Sequence, residues 1–316
     1  MDRRDFLSVA AGSTAAILAG PFSAGSLSQQ LAARETIARS GPPRFQVALA
    51  AYSLRDYFRF KKGKDQTPAT DGPTINMIDF LDYCVEHGFD AAELTSYFFK
   101  PDGDADYFRN IKREAFQRGL PICGTAIGNN FTGKAGEKLE NDIVSAIEWI
   151  DRAALLGAPH IRFFAGKGAE LAEHPERMQQ AVDAIHRCAI KAAEHGIFLG
   201  IENHGNLTAD QMLEIMKRID DTEHGKWIGI NLDTGNFQSE QPYADIERCL
   251  GYAVNVQVKT TMKRADKSKY PADITRIGKI LNDAGYQGAV VLEYEEEKPY
   301  DAIPQAHEEL RAALSV

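Results

Sequence analysis

The sequence predicts a single (β/α)8 TIM barrel, α/β in class, from three observations. First, short apolar runs alternate with segments of helical periodicity from Phe45 onward, at 45–52, 89–94, 120–127, 159–165, 197–202, 228–233, 253–259 and 289–294. Second, the junctions repeat: His87-Gly88-Phe89, Arg118-Gly119-Leu120, Leu156-Gly157-Ala158, His195-Gly196-Ile197 and Ala284-Gly285-Tyr286. A glycine in the left-handed conformation, closing a helix just before a strand, accounts for each of them. Third, four successive runs end in polar side chains: Leu199-Gly200-Ile201-Glu202, Ile228 to Asp233, Val254-Asn255-Val256-Gln257 and Val290-Val291-Leu292-Glu293. A buried strand that closes on a carboxylate is costly unless the carboxylate is paired or ligated. Four such ends therefore point to one shared site at one end of a closed barrel. A doubly wound open sheet is the alternative, but no Gly-rich dinucleotide turn follows the first run.

The chain opens Met1-Asp2-Arg3-Arg4-Asp5-Phe6-Leu7, followed by a stretch from Ser8 to Gly20 rich in Ala, Gly and Leu. The twin arginine, the Phe-Leu pair and the apolar run resemble a twin-arginine export signal. The run is too short and too interrupted for a comfortable membrane span. The expected division is a signal over 1–25, a Ser-, Gln- and Ala-rich linker over 26–43 outside the fold, and the barrel over 44–316. This route implies a periplasmic or envelope location, with membrane contact only through the signal. It carries folded proteins, so a metal site could be filled before export.

Within the barrel, the first strand gives way to a long polar stretch from Phe58 to Thr74, placed over the mouth as a substrate-contacting or simply solvated loop. The best helices are Ile75 to Val85 and Leu139 to Leu156, whose apolar residues recur at three- and four-residue steps. Hydrophobic residues make up 44% of the 316, which excludes a disordered chain, and the net charge of −9 argues against a nucleic-acid partner. Cys84, Cys123, Cys188 and Cys249 have no metal-finger or CxxC spacing and are expected to be buried free thiols.

Side chains two apart on a strand share a face, so Glu202 lies with His204, Asn255 with Gln257 and Lys259, and Glu293 with Glu295. Asp233 leads into a tight turn, Asp233-Thr234-Gly235-Asn236.

These segments resemble the xylose isomerase-like TIM barrel family, which contains sugar phosphate isomerase/epimerases, ketose 3-epimerases and hydroxypyruvate isomerases, with apurinic endonucleases as relatives. The resemblance runs from about Phe45 to the C-terminus. Ile201-Glu202-Asn203-His204, Leu232-Asp233-Thr234-Gly235 and Leu292-Glu293-Tyr294 carry it best, supported by Gly88 to Leu94 and Ile161-Arg162-Phe163-Phe164. It implies one divalent ion held by Glu202, Asp233, Gln257 and Glu293, and acid/base work by Glu202 and Glu293. The chain departs from the family pattern twice: the usual seventh-strand His-x-Lys-Asp is Gln257-Val258-Lys259-Thr260, and the His three residues after Asp233 is Asn236. An all-oxygen ligand set favours Mn²⁺ or Mg²⁺ over Zn²⁺. The missing histidines also argue against the multi-zinc endonuclease branch.

His204, Lys259, Asn236 and Arg162 are the expected substrate-binding residues. For Lys259 the alternative is pairing with a barrel carboxylate, and for Arg162 a structural role. Glu93 is expected to anchor the second strand end in a hydrogen-bond network. A carbonyl-polarising ion with two flanking carboxylates suits proton abstraction next to a carbonyl. The expected function is therefore a metal-dependent isomerase or epimerase. An envelope location and the lack of a P-loop favour an unphosphorylated sugar or glycoside. The alternatives are a lyase that cleaves 3-keto-glycosides by β-elimination and an exported carbohydrate-binding barrel without catalysis. A homo-oligomer is compatible with the family.

Overall fold

The computed structural model describes residues 35–219 and 224–315. The expected strands form a closed parallel barrel: β1 (Arg44–Ala50), β2 (Ala91–Thr95), β3 (Ile122–Ala126), β4 (His160–Phe164), β5 (Phe198–Glu202), β6 (Ile228–Asp233), β7 (Ala253–Val258) and β8 (Gln287–Leu292). Each strand pairs with the next in chain order, and β8 returns to β1 with Phe45 opposite Gly288 and Leu49 opposite Leu292. Strands β2, β3 and β6 are buried at every position, as expected where helices cover the outside and side chains fill the inside.

The helices are α1 (Met77–Glu86), α2 (Ala105–Gln117), α3 (Glu137–Leu156), α4 (Gly168–Glu173), α5 (Arg177–His195), α6 (Ala209–Arg218), α7 (Pro242–Leu250), α8 (Ile274–Asp283) and α9 (Pro299–Leu314). Their starts follow local chemistry. Asn76 and Asp79 form a reciprocal capping box on α1, and Thr208 with Gln211 does the same on α6. On α3 the buried positions Leu139, Ile143, Ala146, Ile150, Ala153 and Leu156 keep the three- and four-residue spacing. The five junction glycines, Gly88, Gly119, Gly157, Gly196 and Gly285, all have φ between 61° and 72°, the left-handed value their positions called for.

The barrel interior contains one unusual packing. His160 of β4 lies between Gly124 of β3 and Gly200 of β5, and a Cβ at Gly200 would come within 2.2 Å of its Nε2. Both ring nitrogens are buried without a hydrogen-bond partner. Burial, with the nearby Arg162 charge, pulls the His160 pKa down to about 3, so the ring is neutral.

The twin-arginine segment over 1–25 and the linker as far as residue 34 lie outside the described residues. The last part of the linker is attached to the barrel. Ile37 N–H donates to the Gly251 carbonyl at 2.9 Å, and Arg39 Nη2 donates to the Ala253 carbonyl at 2.5 Å. The Arg39 guanidinium also stands 4.9 Å from the Tyr286 ring centre, and Gln287 Nε2 donates to the carbonyls of Ser40 and Pro42. These contacts lie at the starts of β7 and β8, the end of the barrel away from Glu202 and Asp233.

At the other end, the polar stretch after β1 carries a small hairpin, Phe60–Lys61 paired with Lys64–Asp65. It reaches the loop after β2, where Lys62 N–H donates to the Tyr97 carbonyl at 2.7 Å. All four cysteines are free and buried, as the sequence predicts. Among the described residues no helix is long and apolar enough to cross a membrane.

Candidate active site

The polar strand ends converge. Glu202 and Asp233 are the last residues of β5 and β6, Gln257 lies opposite Asp233 on β7, and Glu293 follows β8 directly. All four side chains are buried. Their backbone is held by neighbouring side chains. Asn203 donates from Nδ2 to the Asp233 carbonyl and accepts at Oδ1 from Asp233 N–H, both at 2.8 Å, which locks β5 to β6. Gly235 N–H donates to Asp233 Oδ1 at 2.8 Å, fixing one carboxylate oxygen in the turn. The Ser53 hydroxyl donates to the Leu292 carbonyl and accepts from Tyr294 N–H, holding the β8 end around Glu293.

Two buried cations stand among these carboxylates. The Lys259 ammonium lies 3.0 Å from Asp233 Oδ2, 3.3 Å from Glu295 Oε1 and 3.9 Å from Glu293 Oε1, and donates to Asn236 Oδ1 at 3.4 Å. Arg162 Nε is 3.1 Å from Glu202 Oε2, with its guanidinium over the Phe164 ring at 4.3 Å. Asn236 links the two halves, because its Nδ2 donates to Glu202 Oε1 at 2.8 Å.

The electrostatics follow from this burial. Desolvation raises Glu202 to about 7 against the pull of Arg162, and Glu293 to about 8 against the pull of Lys259. Lys259, although desolvated, is held well above its ordinary value by Asp233, Glu293 and Glu295. Glu295 is also desolvated, yet Lys259 holds it below the usual carboxylate range.

Glu93, expected to anchor the end of β2 in a hydrogen-bond network, is buried in the site with its Oε1 left without a partner. Burial raises it to about 8, with Arg162 opposing and Glu293 adding to the rise. Of the expected substrate-binding residues, Lys259, Asn236 and Arg162 lie inside the cluster. His204 is at the exposed rim, stacked on Phe164 with ring centres 4.0 Å apart and 19° between planes.

Sequence reasoning passed over Asn231, which sits two residues before Asp233 and so shares its face. Asn255 Nδ2 donates to Asn231 Oδ1 at 2.7 Å, and Asn231 Nδ2 donates to Gln257 Oε1 at 2.6 Å. Asn203 was also passed over, as the clamp on Asp233. A cavity of about 650 Å³ opens between the loops after β2 and β3 and helix α3, lined by Lys62, Tyr97, Asn129, Trp149 and Phe164, among others, and by none of the strand-end carboxylates. Its size suits a small polar ligand.

The donor set does not fit a divalent ion as it stands. Gln257 Oε1 already accepts from Asn231, and Glu202 is turned to Arg162 and Asn236. Asp233 and Glu293 face the Lys259 ammonium. Among the described residues no three His, Cys, Asp or Glu side chains are spaced to hold a metal.

The family model described as "Xylose isomerase-like TIM barrel" matches residues 81–315. No curated protein matches the sequence. Similar solved structures include a xylose isomerase domain protein from Planctomyces limnophilus, at TM-score 0.62 and 16% identity over 86% of this chain and 96% of the other. A 3-keto-D-glucoside 4-epimerase from E. coli gives 0.60 and 16%, over 85% and 100%. The D-psicose 3-epimerase of Clostridium cellulolyticum H10, solved with D-tagatose, gives 0.61 and 15%, over 85% and 97%. At these identities the likeness is one of fold.

Proposed function

Because the chain belongs to the xylose isomerase-like TIM barrel family, we propose that it is an isomerase or epimerase of an unphosphorylated sugar, working by proton transfer next to a carbonyl. The observation that carries this reading is the placement of Glu202 and Glu293. They are buried carboxyls from two different strand ends, reaching one polar centre from its two sides through Asn236 and Lys259.

In the proposed reaction, one carboxylate removes the proton from the carbon beside the carbonyl, and the electron pair moves onto the carbonyl oxygen as an enediolate. The ammonium of Lys259 and the guanidinium of Arg162 are fixed charges close to where that negative charge would build up. The other carboxyl returns a proton, either to the opposite face of the same carbon, giving an epimer, or to the neighbouring carbon, giving an isomer. Similar folds in a psicose 3-epimerase and a 3-keto-glucoside 4-epimerase support a sugar as substrate. The twin arginine of Arg3 and Arg4 supports export to the periplasm or envelope.

The likeness in fold to a 3-keto-D-glucoside 4-epimerase favours one second reading, elimination from a 3-keto-glycoside. There the same proton abstraction, at C2, expels the aglycone with the C1–O bonding pair. Mass spectrometry in D2O, with free ketoses, aldoses and 3-keto-glycosides offered together, tests both. Deuterium gain without fragmentation supports isomerase or epimerase chemistry, and aglycone release moves the protein to the lyase. Binding without either outcome would make it a carbohydrate-binding barrel.

A further inference from the structure

The two positions where the chain departs from the family's histidines, Gln257 and Asn236, are occupied by amides that suit a lysine-centred site. Asn236 Oδ1 accepts from Lys259 while its Nδ2 holds Glu202. Gln257 turns its oxygen to Asn231. The lysine stem has a place made for it: a Cβ at Gly235 would come within 2.9 Å of Lys259 Cδ and 3.0 Å of its Cβ. Lys259 itself is 5% exposed, and its Nζ has Asp233, Glu295 and Glu293 within 3.9 Å. The ammonium thus already stands against Asp233 and Glu293, two of the four side chains a divalent ion would need. Moving it out would leave a buried cation without partners, a cost of several kcal/mol in order of magnitude.

We propose that this barrel holds no divalent ion at the strand ends, and that the Lys259 ammonium is the resident cation of the site, placed to receive the anionic oxygen of the substrate. The electrostatic role rests on the reading in the previous subsection, whereas the exclusion of the ion does not. In that role Lys259 makes charge-assisted hydrogen bonds to the oxygen and leaves proton transfer to the carboxyls.

Mn²⁺ binding, followed by its electron paramagnetic resonance signal in the purified full chain, tests the exclusion independently of any activity. The wild-type protein is expected to bind no stoichiometric Mn²⁺ in the millimolar range. Lys259→Met frees Asp233, Glu293 and Glu295, and is expected to bind Mn²⁺ about tenfold or more tightly than wild type, with a melting temperature that rises on adding the ion. Lys259→Gln serves the same comparison if the Met variant does not fold. One equivalent of tightly held Mn²⁺ in the wild type would overturn the proposal, and so would folded variants that bind no better than wild type. If sugar turnover is found, it should survive chelation, and loss of turnover on chelation would also overturn it. Absence of turnover on every sugar offered would strike the functional reading and leave the binding comparison intact.

Discussion

Glu202 and Arg162 meet on adjacent strands, Oε2 to Nε at 3.1 Å, with both side chains nearly removed from water. Removing one member of a buried pair leaves the other uncompensated. Arg162→Met is therefore expected to cost about 3 kcal/mol of unfolding free energy. The double variant Arg162→Met/Glu202→Gln should recover a large part of it. Urea denaturation of the wild type, both single variants and the double variant checks this, and a double-variant loss equal to the sum of the two single losses would mean the pair contributes no coupling.

Glu202→Gln and Glu293→Gln should each lower substrate deuterium exchange by about 100-fold or more while the protein stays folded. A pair that divides the two faces of the sugar makes the variants differ: one retains exchange at the carbon it still serves and loses net conversion. Identical partial losses on every substrate would argue against separate roles.

Gly200→Ala places a methyl group 2.2 Å from His160 Nε2 and 3.0 Å from Asn231 Cβ, inside the barrel. Overpacking of this kind costs about 1–3 kcal/mol. The expected readout is a lower denaturation midpoint with an unchanged slope, and a smaller loss when His160→Ala is introduced together with it.

His160 also predicts a pH dependence of stability. Its folded pKa, about 3, lies below the ordinary 6.5, so below that value the unfolded chain binds the proton more readily. The contribution is complete above about pH 6.5 and is lost progressively toward pH 3, by about 1.4 kcal/mol per pH unit at most. Unfolding free energies from pH 7 to 4.5 should fall more steeply for the wild type than for His160→Val. Parallel curves would show that the ring takes up its proton over the same pH range in the folded and the unfolded chain.

All four thiols are buried, and burial raises Cys84 well above its ordinary pKa and Cys188 and Cys249 to about 12. A disulfide-exchange reagent should label none of them in the native protein and all four after denaturation. Rapid native labelling of any one would place it at the surface.

The sequence carried the fold in features with short-range causes. Glycines at helix ends need a left-handed backbone, and apolar runs of strand length need burial, so both were readable without coordinates. Convergence of Glu202, Asp233 and Glu293 was readable too, because closing the barrel brings strand ends together. What each carboxylate faces was not readable. Whether Lys259 reaches Asp233, or Asn231 captures the Gln257 oxygen, depends on side-chain directions set by neighbours 24 to 26 positions away. That one oxygen of Glu93 stays without a partner was not readable for the same reason, since a strand-end acid looks alike in sequence whether its oxygens are satisfied or left bare.

The contacts of Ile37 and Arg39 with the starts of β7 and β8 have a practical consequence. The chain joins the barrel at the strand-start end, so a surface linkage placed ahead of Thr36 would hold the protein by the end away from Glu202 and Asp233. Mounted on a bead in this way, the protein should keep its strand-end carboxylates open to dissolved ligands, whereas mounting through the loop from Phe58 to Thr74 should not.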